Sequence, residues 1–127
     1  MQLPARALDE TVLIEVVRLS GLPVGRDGPY LGAVVALWSG SEATAALSLM
    51  ASLPGSEQHR CGFAPGWSVR AYDEHLAPVL FEAAFCFTCH EVRMRGTAVP
   101  PAMAAQYFAP SAPPALTLLS LFRRANG

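Results

Sequence analysis

Residues 67–95, WSVRAYDEHLAPVLFEAAFCFTCHEVRMR, decide how this chain folds. Within 67–73 the side chains alternate. Trp67, Val69 and Ala71 point one way and Ser68, Arg70 and Tyr72 the other, the period of two of a half-buried strand. A loop with Asp73, Glu74, His75 and Pro78 follows, and residues 79–87 make a second strand, so the pair reads as an antiparallel hairpin. Along that second strand Val79, Phe81, Ala83, Phe85 and Phe87 keep the odd positions apolar. Beyond His90 the phase reverses: Glu91, Arg93 and Arg95 are polar, Val92 and Met94 apolar. A regular strand cannot exchange its buried face. The backbone must therefore be interrupted between Phe87 and Glu91, by a bulge or a tight turn. In an unbroken strand Cys86 and Cys89 would face opposite ways, and the interruption allows both sulfurs onto one side.

Upstream, residues 11–19 (TVLIEVVRL) and 30–38 (YLGAVVALW) read as two further strands pairing antiparallel, with Gly32 marking a bulge or a close backbone approach. Gly21 to Pro29, with Pro23, Gly25, Asp27 and Gly28, is the loop between them. Ser39 and Glu42 have the spacing of a capping box. Ala43, Ala46, Leu47, Met50 and Ala51 then share one helical face until Pro54-Gly55 stops the helix. A last helix spans about Ala112 to Arg124, capped by Ser111, with Pro113 and Pro114 in its first turn. Ala115, Leu118, Leu119 and Phe122 face its core, and Arg123 and Arg124 sit at the end where the helix dipole favours cations. Val99 to Pro114 is a Pro-rich connector, with one helical turn expected at Ala102–Tyr107. The order strand, strand, helix, strand, strand, helix predicts an α+β, two-layer sandwich. Its antiparallel sheet would have four to five strands, with both helices on one face.

The 127 residues suffice for one domain, 1–127, with a core of its own. An apolar fraction of 52% against 15% charged residues excludes a disordered chain. A net charge of −1 gives no reason to expect nucleic acid or an anionic membrane as a partner. All nine basic residues are Arg, which with the abundant Ala, Pro and Gly fits a GC-rich bacterial genome. No stretch approaches the roughly 18 apolar residues of a membrane helix. The N-terminus, with Asp9, Glu10 and Glu15, does not read as a signal peptide, so the expected location is the cytoplasm. Three cysteines cannot all be paired within one chain.

The segment Cys86-Phe87-Thr88-Cys89-His90 is where site chemistry would sit. Its spacing matches the attachment of haem c, with Met94 or Met103 as a distal ligand. A β-rich aromatic run and the lack of an export signal speak against haem. Zinc would use Cys61, Cys86 and Cys89 with His90 or His59, the C-x-x-C pair being a usual half-site. A thioredoxin-like redox site needs its cysteines at a helix N-terminus, and here they follow a strand. The plain alternative is that Cys86 and Cys89 are buried, reduced and packed among Phe81, Phe85 and Phe87. Arg60, Arg70, Arg93 and Arg95 form a potential basic stripe, which we expect to be paired with Asp73, Glu82 and Glu91.

The chain holds no phosphate-binding loop, no dinucleotide fingerprint, no zincin helix and no nucleophile elbow. Several segments, however, resemble a loose group of uncharacterised bacterial proteins: Cys61-Gly62-Phe63-Ala64-Pro65-Gly66, then Val69, Arg70, Phe81-Glu82, Phe85-Cys86-Phe87, Cys89 and Glu91. In that group a C-x-F-x-P-G segment leads into an amphipathic strand, a second strand ends in C-F-x-C, and a leucine-rich helix closes the domain. The resemblance implies that the three cysteines lie near one another and that His90 is incidental to the motif. The expectation is thus a small non-enzymatic α+β domain with Cys61, Cys86 and Cys89 drawn together at the break in the strand. The alternatives are a zinc-binding protein completed by His90 or His59, and a protein-interaction module of the immunity or accessory kind. That module would act through an exposed sheet face or the Pro-rich connector. No nucleophile–base pair is identifiable that would support catalysis.

Overall fold

A computed structural model of the protein describes residues 1–21, 28–58 and 61–126. Within these, the strands are β1 (Leu13–Leu19), β2 (Gly32–Ser39), β3 (Trp67–Tyr72), β4 (Phe81–Cys86), β5 (Glu91–Arg95) and β6 (Ala105–Tyr107). The helices are α1 (Ala5–Glu10), α2 (Ser41–Ala51) and α3 (Pro113–Ala125), with a 3-10 turn at Pro101–Met103. One antiparallel sheet runs in the order β2-β1-β3-β4-β5-β6. The α+β class and the two antiparallel hairpins agree with the sequence. The expected four to five strands become six among the described residues, and α1 precedes the expected order. The extra elements are short. β6 has three residues inside a Pro-rich stretch, too few for alternation to register, and α1 has six. The helical turn expected at Ala102–Tyr107 is a 3-10 turn beginning at Pro101, followed by β6.

The break at 87–90 is a tight turn. Cys86 ends β4 opposite Glu91, which begins β5, and His90 closes the turn in the left-handed region at φ 59°. The reversal of phase therefore follows from two strands joined by a hairpin, and each keeps its own regular alternation. Gly32 is where the hairpin of β1 and β2 closes: a Cβ there would overlap the Arg18 carbonyl, so the close approach inferred for it holds. The register of that hairpin shifts between Val16 and Val17, which brings both Val34 and Leu37 onto one face.

Two helix caps differ from expectation. Ser39 ends β2 and pairs with Leu13, so the cap of α2 is Gly40, at φ 55°, with no side-chain cap. A backbone that leaves the sheet and turns at once into a helix needs that left-handed step, which favours glycine. At α3 the cap residue is Ala112, not Ser111, and Pro113-Pro114 occupy the first turn as expected. Ala43, Ala46, Leu47 and Met50 are buried on α2, as are Ala115, Leu118 and Phe122 on α3; Ala51 is exposed and Leu119 half-buried. Pro23, Gly25 and Asp27, read as loop, lie outside the described residues.

Both long helices contribute to one core cluster with Ile14, Val16, Val69, Ala71, Phe81, Ala83, Phe85, Val92 and Met94. They lie on one face of the sheet, as the two-layer reading required. Aromatic rings close this core. Phe122 of α3 stacks on Trp67 at 5.5 Å and on Trp38 at 6.4 Å, and meets Phe85 at 5.7 Å; Phe108 meets Phe85 and Phe87 at 6.0 and 5.3 Å. A smaller cluster, Val17, Leu19, Tyr30 and Ala84 with Phe63 against it, lies on the opposite face.

The two edges of the sheet are finished differently. At β6, Gln106 exchanges hydrogen bonds with the backbone of Gln2 at 2.7 and 2.9 Å, Ser56 donates its N–H to the Tyr107 carbonyl, and Gly55 bridges Phe108. At β2 no described strand continues the sheet.

Candidate functional site

Cross-strand register assembles a polar row on the face away from the helices: Glu15, Arg70, Glu82 and Arg95 sit side by side on β1, β3, β4 and β5, with Leu37 of β2 beside Glu15. Glu82 is fully buried, and burying a carboxylate is costly unless it is paired and hydrogen-bonded. Here it is both. One carboxylate oxygen accepts from Ser68 Oγ and Arg70 Nε, each at 2.9 Å. The other accepts from Arg95 Nε at 2.9 Å, Arg95 Nη2 at 2.8 Å and the Tyr30 N–H at 3.2 Å. Arg70 also donates through Nη2 to the Tyr30 carbonyl at 2.7 Å, so Tyr30 is held by its backbone across the middle of this face. Among the described residues no buried side-chain nitrogen or oxygen lacks a partner.

Around this centre the surface is aromatic and cationic. The Arg93 guanidinium stacks over Phe63 at 4.1 Å while donating to Glu91 at 2.7 Å, and Phe63 meets Tyr30 at 6.5 Å. Tyr72 donates its phenol to Glu15 at 2.6 Å. Burial first, and then that hydrogen bond to a carboxylate, push the Tyr72 phenol up to about 12. Burial likewise raises Tyr30, against the lowering pull of Arg93.

Cys61 and Cys89 are joined as a disulfide with a Cα–Cα distance of 5.7 Å, an ordinary separation for such a bond. Cys61 is exposed and Cys89 buried in the β4–β5 turn, so the bond clamps the segment before β3 to that turn. Phe63, two residues after Cys61, then lies against Val17, Leu19, Tyr30 and Ala84. Cys86 is a free, buried thiol in contact with Thr88 Oγ1 at 3.3 Å. Of the expected metal set, then, Cys61 and Cys89 are brought together but bonded to each other, and Cys86 stays in the strand. His90 closes the turn with its carbonyl accepting the Phe108 N–H at 2.9 Å. His59 and Arg60 lie outside the described residues. Among the described residues no group of three or more His, Cys, Asp or Glu side chains is placed to hold a metal ion. A sulfur in a disulfide is not a thiolate, and only the thiolate ligates zinc.

The basic stripe is paired as expected for Arg70, Arg95 and Arg93, with Glu82 and Glu91. Asp73 departs from that scheme: it lies 3.9 Å from Arg6 and accepts the His75 N–H, which makes 73–76 a turn. Ser68 and Tyr30 were not anticipated in the site. Ser68 is legible from the alternation that places it beside Arg70. Tyr30, expected as the first residue of the second strand, lies just before β2, which begins at Gly32, and carries no local signal of its place here.

No helix of the described residues is long and apolar enough to cross a membrane. Comparison with protein families, with curated proteins and with solved structures found no match to this chain in any of the three.

Proposed function

We propose that this chain is a non-enzymatic binding domain that engages a protein partner through the sheet face carrying Arg93, Phe63, Tyr72 and Arg95. The observation behind this is the Arg93–Phe63 stack, set on a buried polar centre that is already fully partnered. Arginine and aromatic side chains are the types enriched where proteins bind one another, and a rigid support lowers the entropy lost on binding. The Cys61–Cys89 bond keeps Phe63 in place. In a reducing compartment glutathione holds such pairs reduced. There the clamp would open and close with oxidation; in an oxidising compartment it would stay shut.

Binding from cell extract tests the proposal with three proteins: wild type, Arg93→Glu, and Arg124→Glu on the far side of α3. A protein retained by wild type and Arg124→Glu but lost with Arg93→Glu, and then shown to bind the purified domain directly, is the expected result. Equal retention by all three sinks the proposal. The approach of Cys61 to Cys89 supports a second reading, zinc held by the reduced form. Native mass of the freshly purified protein separates the two. A chain lighter by two hydrogens supports the disulfide clamp, whereas a zinc adduct lost on denaturation establishes the metal instead.

A further inference from the structure

The β2 edge is a surface feature that the binding proposal does not use. Over Tyr30 to Ser41 the chain has no charged residue and no proline. The strand itself is eight residues long, and Gly32, Ala33, Val34, Leu37 and Ser39 are exposed along it. Val34 is 47% and Leu37 59% exposed, both on the face away from the helices because of the register shift at Val16/Val17. On the helix side the same strand borders an open recess of about 380 Å³, where Trp38, Ala45, Leu49 and Leu121 are apolar and Glu42 and Thr117 polar. Both flanks of the free edge therefore carry apolar side chains.

Proteins normally blunt an edge with charges, proline, a short strand or a covering segment. This one applies such means at β6, which is three residues long, lies in a Pro-rich stretch and is covered by Gln2 and Ser56. At β2 it applies none of the charge, proline or length devices; the irregularity there is the register shift at Val16/Val17, which pairing with a second copy of β2 places at its centre. Among the described residues no strand pairs with the outer side of β2; a row of backbone donors and acceptors of that kind is satisfied by another strand, and the composition of β2 suits its own copy. Run antiparallel about a two-fold axis, with Val34 opposite Leu37 of the second copy, Ala33 falls opposite Trp38, so each large side chain meets a smaller one. No like charges are opposed, and the polar faces of the two sheets fall on the same side.

We propose that two copies of this chain pair through β2, antiparallel about a two-fold axis, to form one continuous sheet of twice the width. The occupant of the edge is a second copy.

Sedimentation of the purified, folded protein over a hundredfold dilution from about 100 μM tests this. The expected result is a dimer that dissociates on dilution. Val34→Lys combined with Leu37→Lys should weaken association by more than tenfold, with ellipticity in the near and far ultraviolet unchanged, because both positions are exposed. Hydrogen exchange supplies a readout that does not depend on the variant: amides of β2 should exchange more slowly as wild-type concentration rises, and those of β6 should not. A monomer at every concentration overturns the proposal. So does a dimer of undiminished strength in the lysine variant, or β2 protection that appears only when an unrelated chain is added.

Discussion

At the scale of single residues, Glu82 shows how this sheet carries a charge in its interior. Its two oxygens accept from Ser68, Arg70, Arg95 and Tyr30, and the guanidinia that hold it remain partly in contact with solvent. Removing one partner of a buried ion pair leaves the others uncompensated, which is worse than never having built the pair. Glu82→Ala is therefore expected to lower stability by about 3 kcal/mol, read as a shift in the urea midpoint. Glu82→Gln, which keeps an acceptor for some of these donors, should lose less. Equal stability of both variants and wild type would show that the network contributes nothing. The residue pairing was readable in outline, since alternation puts Arg70 and Glu82 on the same side of adjacent strands. The burial of Glu82 was not readable, because it depends on Tyr30 crossing from a loop 52 residues away in sequence.

At the scale of elements, the β4–β5 hairpin and its clamp are the informative pair. Phase reversal revealed a break between Phe87 and Glu91, by a bulge or a tight turn, because a strand with period two has no freedom to change faces; that the break is a hairpin comes from the pairing of β4 with β5. The number of residues in the turn was beyond reach, as was the identity of the second cysteine in the bridge. Three cysteines allow three pairings, and spacing does not choose among them. The bond between Cys61 and Cys89 spans 28 residues. On the chain-entropy account, closing a loop of that size is worth about 3–4 kcal/mol, an upper figure for a site that can relax. Cys61→Ser should accordingly lower the melting midpoint of the oxidised protein, and reductant should produce the same loss in wild type while leaving the variant unaffected. A variant as stable as oxidised wild type would contradict the clamp. Both helices were legible from their apolar faces, but their caps were not. Ser39 had the right spacing for a capping box and was already committed to pairing with Leu13 in the sheet.

At the scale of the whole molecule, the layered α+β plan was legible and the full width of the sheet was not. Short edge elements such as β6 are stabilised by what they touch, here Gln2, Ser56 and β5. Long-range contacts of that kind leave no mark on local composition. The contrast between a covered edge at β6 and an edge at β2 that no described strand continues emerges only from the order of the strands. The same breadth of view gives the ring stack of the core a practical consequence. Trp38 and Trp67 are the chain's only indoles, and both lie on Phe122, one ring plane almost parallel and the other within 18°. Every photon of tryptophan emission thus comes from the seat of α3. Phe122→Ala should red-shift and broaden that emission while the far-ultraviolet signal of the sheet persists; unaltered emission would rule this out. Fluorescence then follows the docking of one helix, circular dichroism the rest of the chain, and any temperature at which the two curves separate marks α3 leaving first.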